Sequence, residues 1–196
     1  MKNIIIVLLL LLVSPNTTNN VLFVGDSLTC YSGGWQQSIS KRFNYKYDNL
    51  SKPGKRTDWM LQQLKSQLSK NKNYSKVFIY GGCNDAFAYV NLDSSMSNIQ
   101  KMVDLCNKEK IKPYVVVGYD PDRVITTTIY DQKTTDFHRK RYVGLQSKMM
   151  NLKNCYIIKK DTTVLRKDSG DGIHLSSSGH KKFTDWIINQ ILNLEN

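Results

Sequence analysis

The sequence predicts an α/β chain with a parallel sheet covered on both faces. Short, continuous apolar runs rich in β-branched residues alternate with segments whose apolar residues recur at helical spacing. Four of the runs are followed by polar or glycine-bearing segments, which a parallel sheet would gather at its carboxyl edge. The first run, 21–24, ends in Gly25-Asp26-Ser27-Leu28.

The elements follow in order. Residues 21–24 form strand one, and a helix begins over 35–42. Residues 45–50 are strand two. Thr57 is an N-cap candidate, with Asp58 in the first turn of a helix patterned on Trp59, Met60, Leu61, Leu64 and Leu68. Residues 77–80 make strand three. Met96, Ile99, Met102, Val103 and Cys106 mark the next helix, and "PYVVVGY", 113–119, is strand four. A helix around 135–150 leads to strand five at 156–158, and a last helix carries Phe183, Trp186, Ile187 and Ile191. The widest irregular stretches, 120–134 and 161–172, both follow strands.

A chain of 196 residues can bury one full core, and no repeat or interdomain linker divides it. Residues 20–196 are therefore expected to be one domain, with 1–19 as a leader and short linker. Lys2 precedes ten apolar residues, Ile4 to Val13, too short to span a bilayer and suited to the core of a signal peptide. Secretion or a cell-envelope location is the expectation. The formal charge of +12 favours anionic surfaces or polymers. The lysines are dispersed and no helix-turn-helix, zinc or RNP motif accompanies them, so a specific nucleic-acid partner is not expected. Four cysteines show no Cys-x-x-Cys spacing, and no metal or cofactor is expected.

The segments expected at the sheet edge hold the parts of an acyl-transfer site: a nucleophile, a base, a group that orients the base, and oxyanion donors. Ser27 follows strand one, Gly54 strand two, "GGCND" (81–85) strand three, and "DGIHLSSSGH" (171–180) strand five. Ser27 supplies a hydroxyl. His174 is the best base of three histidines, since His138 falls within a helix and His180 near a helix start. Asp171, three residues earlier, can hold one ring nitrogen of His174. Asn84 offers a side-chain N–H, and Gly54 lets its backbone approach closely.

These blocks resemble the SGNH hydrolases, also called GDSL esterases/lipases, over essentially all the chain after residue 20. Gly25-Asp26-Ser27-Leu28 matches the nucleophile block, Gly54 in "NLSKPGKRT" the second block, Gly82-Cys83-Asn84-Asp85 the third, and Asp171-Gly172-Ile173-His174 the last. The resemblance implies a flavodoxin-like, three-layer α/β/α sandwich with five parallel strands ordered 2-1-3-4-5. It implies catalysis by Ser27, His174 and Asp171, with Ser27, Gly54 and Asn84 forming the oxyanion hole. Asp26 is expected to tie down the turn. Strands one and three would be neighbours, which makes a Cys30–Cys83 disulfide a geometric option in an oxidising compartment.

The family acts on carboxylic esters, and two segments are expected to set the substrate. Residues 86–93 offer Phe87 and Tyr89, and 120–132 offer Arg123 and Tyr130 beside several hydroxyls. Such walls suit a glycan better than a long acyl chain, so O-deacetylation of a carbohydrate or cell-surface polymer is the leading expectation. A lysophospholipase or thioesterase, and a surface or virion module retaining the fold, are the alternatives. A nucleotide-binding flavodoxin-like protein is disfavoured, because Asp26 after strand one would repel a phosphate.

Overall fold

The computed structural model describes residues 19–127 and 130–196. The leader-like segment 4–13 lies outside the described residues. Five parallel strands, β1 (Asn20–Gly25), β2 (Lys46–Asn49), β3 (Lys76–Tyr80), β4 (Lys112–Val116) and β5 (Tyr156–Ile158), form one sheet ordered β2-β1-β3-β4-β5. Eight helices join them: α1 (Ser27–Cys30), α2 (Trp35–Arg42), α3 (Thr57–Lys70), α4 (Cys83–Phe87), α5 (Leu92–Lys108), α6 (Pro121–Val124), α7 (Gln132–Met149) and α8 (Ser177–Glu195). Helices α2 and α8 pack together on one face, and α3, α5 and α7 succeed one another on the other. The three-layer sandwich and its strand order agree with the sequence expectation.

The central strands are buried on both faces, which is why they read as unbroken apolar runs. In-phase register adds a feature that the apolar pattern alone conceals. Phe23 pairs with Phe78, Phe78 with Tyr114, and Tyr114 with Tyr156. Their rings stack across four strands at centroid spacings of 5.1, 5.0 and 4.7 Å. Trp35 of α2 packs edge-on against this ladder and meets Phe183 of α8 at 6.2 Å. The far end is tied by Glu195, whose Oε1 accepts from the Tyr114 hydroxyl at 2.5 Å and pairs with Lys76 Nζ at 2.6 Å.

Two expectations change. Strand four was expected to run to 119, but β4 ends at Val116, because Gly118 takes φ +94° and turns the chain out of the ladder. The chain rejoins only through a single bridge between Tyr119 and Asp161. Thr57 is the first helical residue of α3 rather than its N-cap; Arg56 holds the cap position and contributes no side-chain bond. The missing cap comes from elsewhere, as described below. All four cysteines are free thiols, so Cys30 and Cys83 are not bridged.

Phe78 is fully buried between two stacked neighbours. Phe78→Ala is expected to cost about 3–5 kcal/mol, and Tyr156→Ala at the partly exposed edge clearly less. Urea denaturation of the two variants checks the ranking.

Candidate active site

The candidate site lies at the carboxyl edge of the sheet, where β1 gives way to α1. Asp26 caps α1, its Oδ1 accepting from Leu28 N at 3.0 Å, and this turn presents Ser27 as the first helical residue. Ser27 Oγ is 2.9 Å from His174 Nε2, and His174 Nδ1 is 2.6 Å from Asp171 Oδ2. The other carboxylate oxygen, Asp171 Oδ1, accepts from the backbone N–H of His174 at 2.7 Å and of Ile173 at 2.9 Å. Burial alone would raise the Asp171 pKa, but the His174 ring and these two N–H groups outweigh it and hold the carboxyl below 3.8. The turn carrying them is braced by Ser169, whose hydroxyl accepts from Gly172 N and donates to the His174 carbonyl. Tyr31 flanks the imidazole edge-on at 5.7 Å.

The site's second half comes from the segment after β2 and from α4. Gly54 takes φ +70°, a left-handed conformation that glycine adopts without strain. Gly82 caps α4 at φ +102°, where a Cβ would meet Leu145 at 2.6 Å. Asn84 Nδ2 donates to Asp26 Oδ2 at 3.2 Å and to the Lys55 carbonyl at 3.1 Å. Both amide hydrogens are thus engaged, and donation to an oxyanion requires the Lys55 carbonyl to yield or share one.

What joins the two segments of this second half is Asp85, a residue inside the third block to which the sequence pattern assigns no role. Its Oδ2 accepts from Thr57 N at 3.0 Å, supplying the missing cap of α3. Its Oδ1 accepts from Thr57 Oγ1 at 2.6 Å and from Ser95 Oγ at 2.9 Å. The segment bearing Gly54 and Lys55 is therefore clasped to the helix bearing Asn84.

Asp26 is fully buried beneath the site. Burial drives its pKa up to about 7, against the Leu28 N–H bond, which lowers it; nearby Asp85 raises it further, while His174 and Asn84 oppose. The cysteines are poor nucleophiles by comparison. Burial pushes the thiols of Cys83 and Cys30 up, Cys106 to about 12 and Cys155 to about 11. Among the described residues no cluster of His, Cys, Asp or Glu could hold a metal.

A cavity of about 680 Å³ opens beside Gly54 and Asn84. Phe87 and Tyr130, two of the aromatics singled out in the sequence, line it. Arg123 and Tyr89 are not in its lining: the Arg123 guanidinium donates to the Thr162 carbonyl, and Tyr89 stacks on Phe137 at 4.9 Å, beside Arg141. Trp59 is on the wall although its spacing assigned it to the buried stripe of α3. The remaining histidines lie in the elements expected of them, His138 within α7 and His180 near the start of α8. His138 is buried, stacked on Phe87 at 4.4 Å. His180 is half-buried and lines a small cavity of about 10 Å³ with Ser27, His174 and Tyr80.

The geometry can be set beside known proteins. The model of the GDSL-like lipase/acylhydrolase family matches residues 23–182. The chain belongs to this family. Membership makes it a serine ester hydrolase of the GDSL/SGNH type. A comparison with curated protein sequences gives no significant match. Among solved structures it is similar to a lipolytic G-D-S-L family member from Veillonella parvula (14% identity, 87% of this chain and 96% of that one, TM-score 0.66). It is similar to the psychrotrophic esterase EstA from a Pseudoalteromonas species, solved inhibited by monoethylphosphonate (14%, 91% and 100%, TM-score 0.59). It also resembles the acetyl xylan esterase AlAXEase (18%, 88% and 99%, TM-score 0.57).

Two outcomes follow. Asp85→Asn turns one acceptor oxygen into a donor facing a donor, and is expected to cost about 1–3 kcal/mol in urea denaturation. The folded state also holds the Asp26 proton more tightly than an unfolded chain with its ordinary pKa of 3.8. This group's contribution to stability is full below that value and is lost as pH rises towards about 7, by at most about 4 kcal/mol. The stability of wild type minus that of Asp26→Asn, measured between these limits, is expected to fall with rising pH; a flat difference would contradict it.

Proposed function

We propose that this family member hydrolyses short acyl esters through Ser27, with His174 as general base, Asp171 as its orienting group, and Asn84 with the N–H groups of Ser27 and Gly54 as oxyanion donors. The observation that carries the reading is the unbroken hydrogen-bonded line from Ser27 Oγ through His174 to Asp171. In the first half-reaction Ser27 Oγ attacks the ester carbonyl while its proton passes to His174 Nε2. Collapse of the tetrahedral intermediate returns that proton to the leaving alcohol and leaves an acyl-serine. Water, deprotonated by the same imidazole, then releases the acid.

The substrate assigned to this site is an O-acetylated carbohydrate or cell-surface polymer. The cavity supports that choice because Lys55, Arg56, Asp58 and Gln62 share its wall with aromatic rings, whereas an acyl chain requires a continuous apolar channel. One structural neighbour is an acetyl xylan esterase. The excess of 28 basic over 16 acidic residues suits an anionic polymer, and the apolar segment at 4–13 suits export to where such polymers lie.

Ser27→Ala is expected to abolish hydrolysis of p-nitrophenyl acetate and labelling by a fluorophosphonate while keeping the fold. Asn84→Ala is expected to lower kcat by about 10²–10³ with little change in KM. Across acetyl, butyryl, octanoyl and palmitoyl esters, kcat/KM is expected to peak at acetyl or butyryl. A true acyl tunnel would instead gain about 0.8 kcal/mol per buried methylene, and a climb through octanoyl would move the enzyme to lipid substrates.

A further inference from the structure

We infer that the α3 wall of the large cavity, built from Lys55, Trp59 and Gln62, is a subsite for an acidic sugar residue of the acetylated polymer. The inference rests on the deacetylase reading above and names the substrate's charge class and the residues that select it. The first observation is the placement of Trp59. Helix α3 buries Met60, Leu61, Leu64 and Leu68 against the fold, while Trp59 stays half-exposed and faces the cavity. An indole at a cavity wall offers a flat apolar face to the C–H face of a pyranose, and Gln62, one helical turn further along the same wall, offers a donor and an acceptor to its hydroxyls.

The second observation concerns charge. Arg56 and Asp58 share the rim and pair with each other at 3.2 Å, so their charges cancel locally. Lys55 has no carboxylate partner among the described residues; its Nζ lies 5.7 Å from the centre of the Trp59 ring. The wall therefore carries one ammonium that lies over an indole ring and has no carboxylate partner among the described residues. A uronic acid stacked on Trp59 supplies the carboxylate that Lys55 lacks, and a neutral sugar does not.

The third observation fixes the subsite relative to the proposed chemistry. The Lys55 carbonyl accepts from Asn84 Nδ2, and Lys55 directly follows Gly54. A sugar held on this wall is thus tied through the Lys55 backbone to the segments that carry the proposed oxyanion donors Gly54 and Asn84. Binding energy gained here can orient the ester and act on kcat/KM for the polymer rather than only retaining it.

The test separates binding from hydrolysis by using full-length Ser27→Ala protein. Tryptophan fluorescence is titrated with oligogalacturonate and, separately, with a neutral xylo-oligosaccharide of equal length. Trp35 is buried and Trp186 donates its indole N–H to Lys159, so the expected signal belongs to Trp59 and disappears in Trp59→Phe. The acidic oligosaccharide is expected to bind more tightly than the neutral one, and added salt to weaken only the acidic one. Lys55→Gln is expected to weaken acidic binding about tenfold, a charge-assisted hydrogen bond's share, while Lys101→Gln on exposed α5 leaves it unchanged. Equal affinity for both oligosaccharides, absence of binding, or equal losses in Lys55→Gln and Lys101→Gln would overturn the subsite. Failure of the esterase reading shows separately, as wild-type protein that does not cleave p-nitrophenyl acetate.

Discussion

Three donors from two helices end on one buried carboxylate, and the candidate site depends on that convergence. Asp85 takes the Thr57 N–H, the Thr57 hydroxyl and the Ser95 hydroxyl. Asn84, one residue earlier in the chain, takes its position from the same short helix. The clasp fixes the start of α3, the start of α3 fixes Lys55, and the Lys55 carbonyl fixes the Asn84 amide. The carboxylate at the centre of this chain of contacts is buried with both oxygens engaged, and a satisfied buried network of this kind is rigid, which is what the proposed oxyanion donors require.

The sheet supplies the platform and sets its costs. Its aromatic ladder aligns β1, β3, β4 and β5 so that their carboxyl ends meet one edge. At that edge the chain buries Asp26, whose proton is held by burial up to a pKa of about 7. The same carboxyl caps α1 and receives the Asn84 amide. Stability becomes pH-dependent at the point where orientation is gained, and perturbed carboxylates of this kind cluster at functional sites.

The fold was legible because parallel strands buried on both faces cannot hide their apolar continuity, and the site because four short blocks fall at four strand ends. The sequence failed to reveal what depends on which partner a residue meets. Thr57 has the composition of a cap, yet the cap is Asp85, 28 positions away. Trp59 has core spacing, but at the start of α3 it is only partly buried against the core and also lines the cavity. Arg123 and Tyr89 have the chemistry of substrate contacts, yet a carbonyl and a neighbouring ring engage them. The Phe23–Phe78–Tyr114–Tyr156 ladder is visible only once strand register is known. Local patterns encode periodicity; tertiary partners decide the rest.

The hydrogen bond between Ser27 and His174 spans 147 positions of sequence. During synthesis from the amino terminus, the hydroxyl and its turn emerge long before the imidazole exists. Helix α8, which begins at the Ser176 cap just after the His174 turn, emerges later still. A nascent chain thus carries Ser27 without the side chain that completes its hydrogen bond. On the proposed assignment of His174 as base, the hydroxyl becomes a nucleophile only near the end of translation, and a prematurely terminated fragment holds it inert.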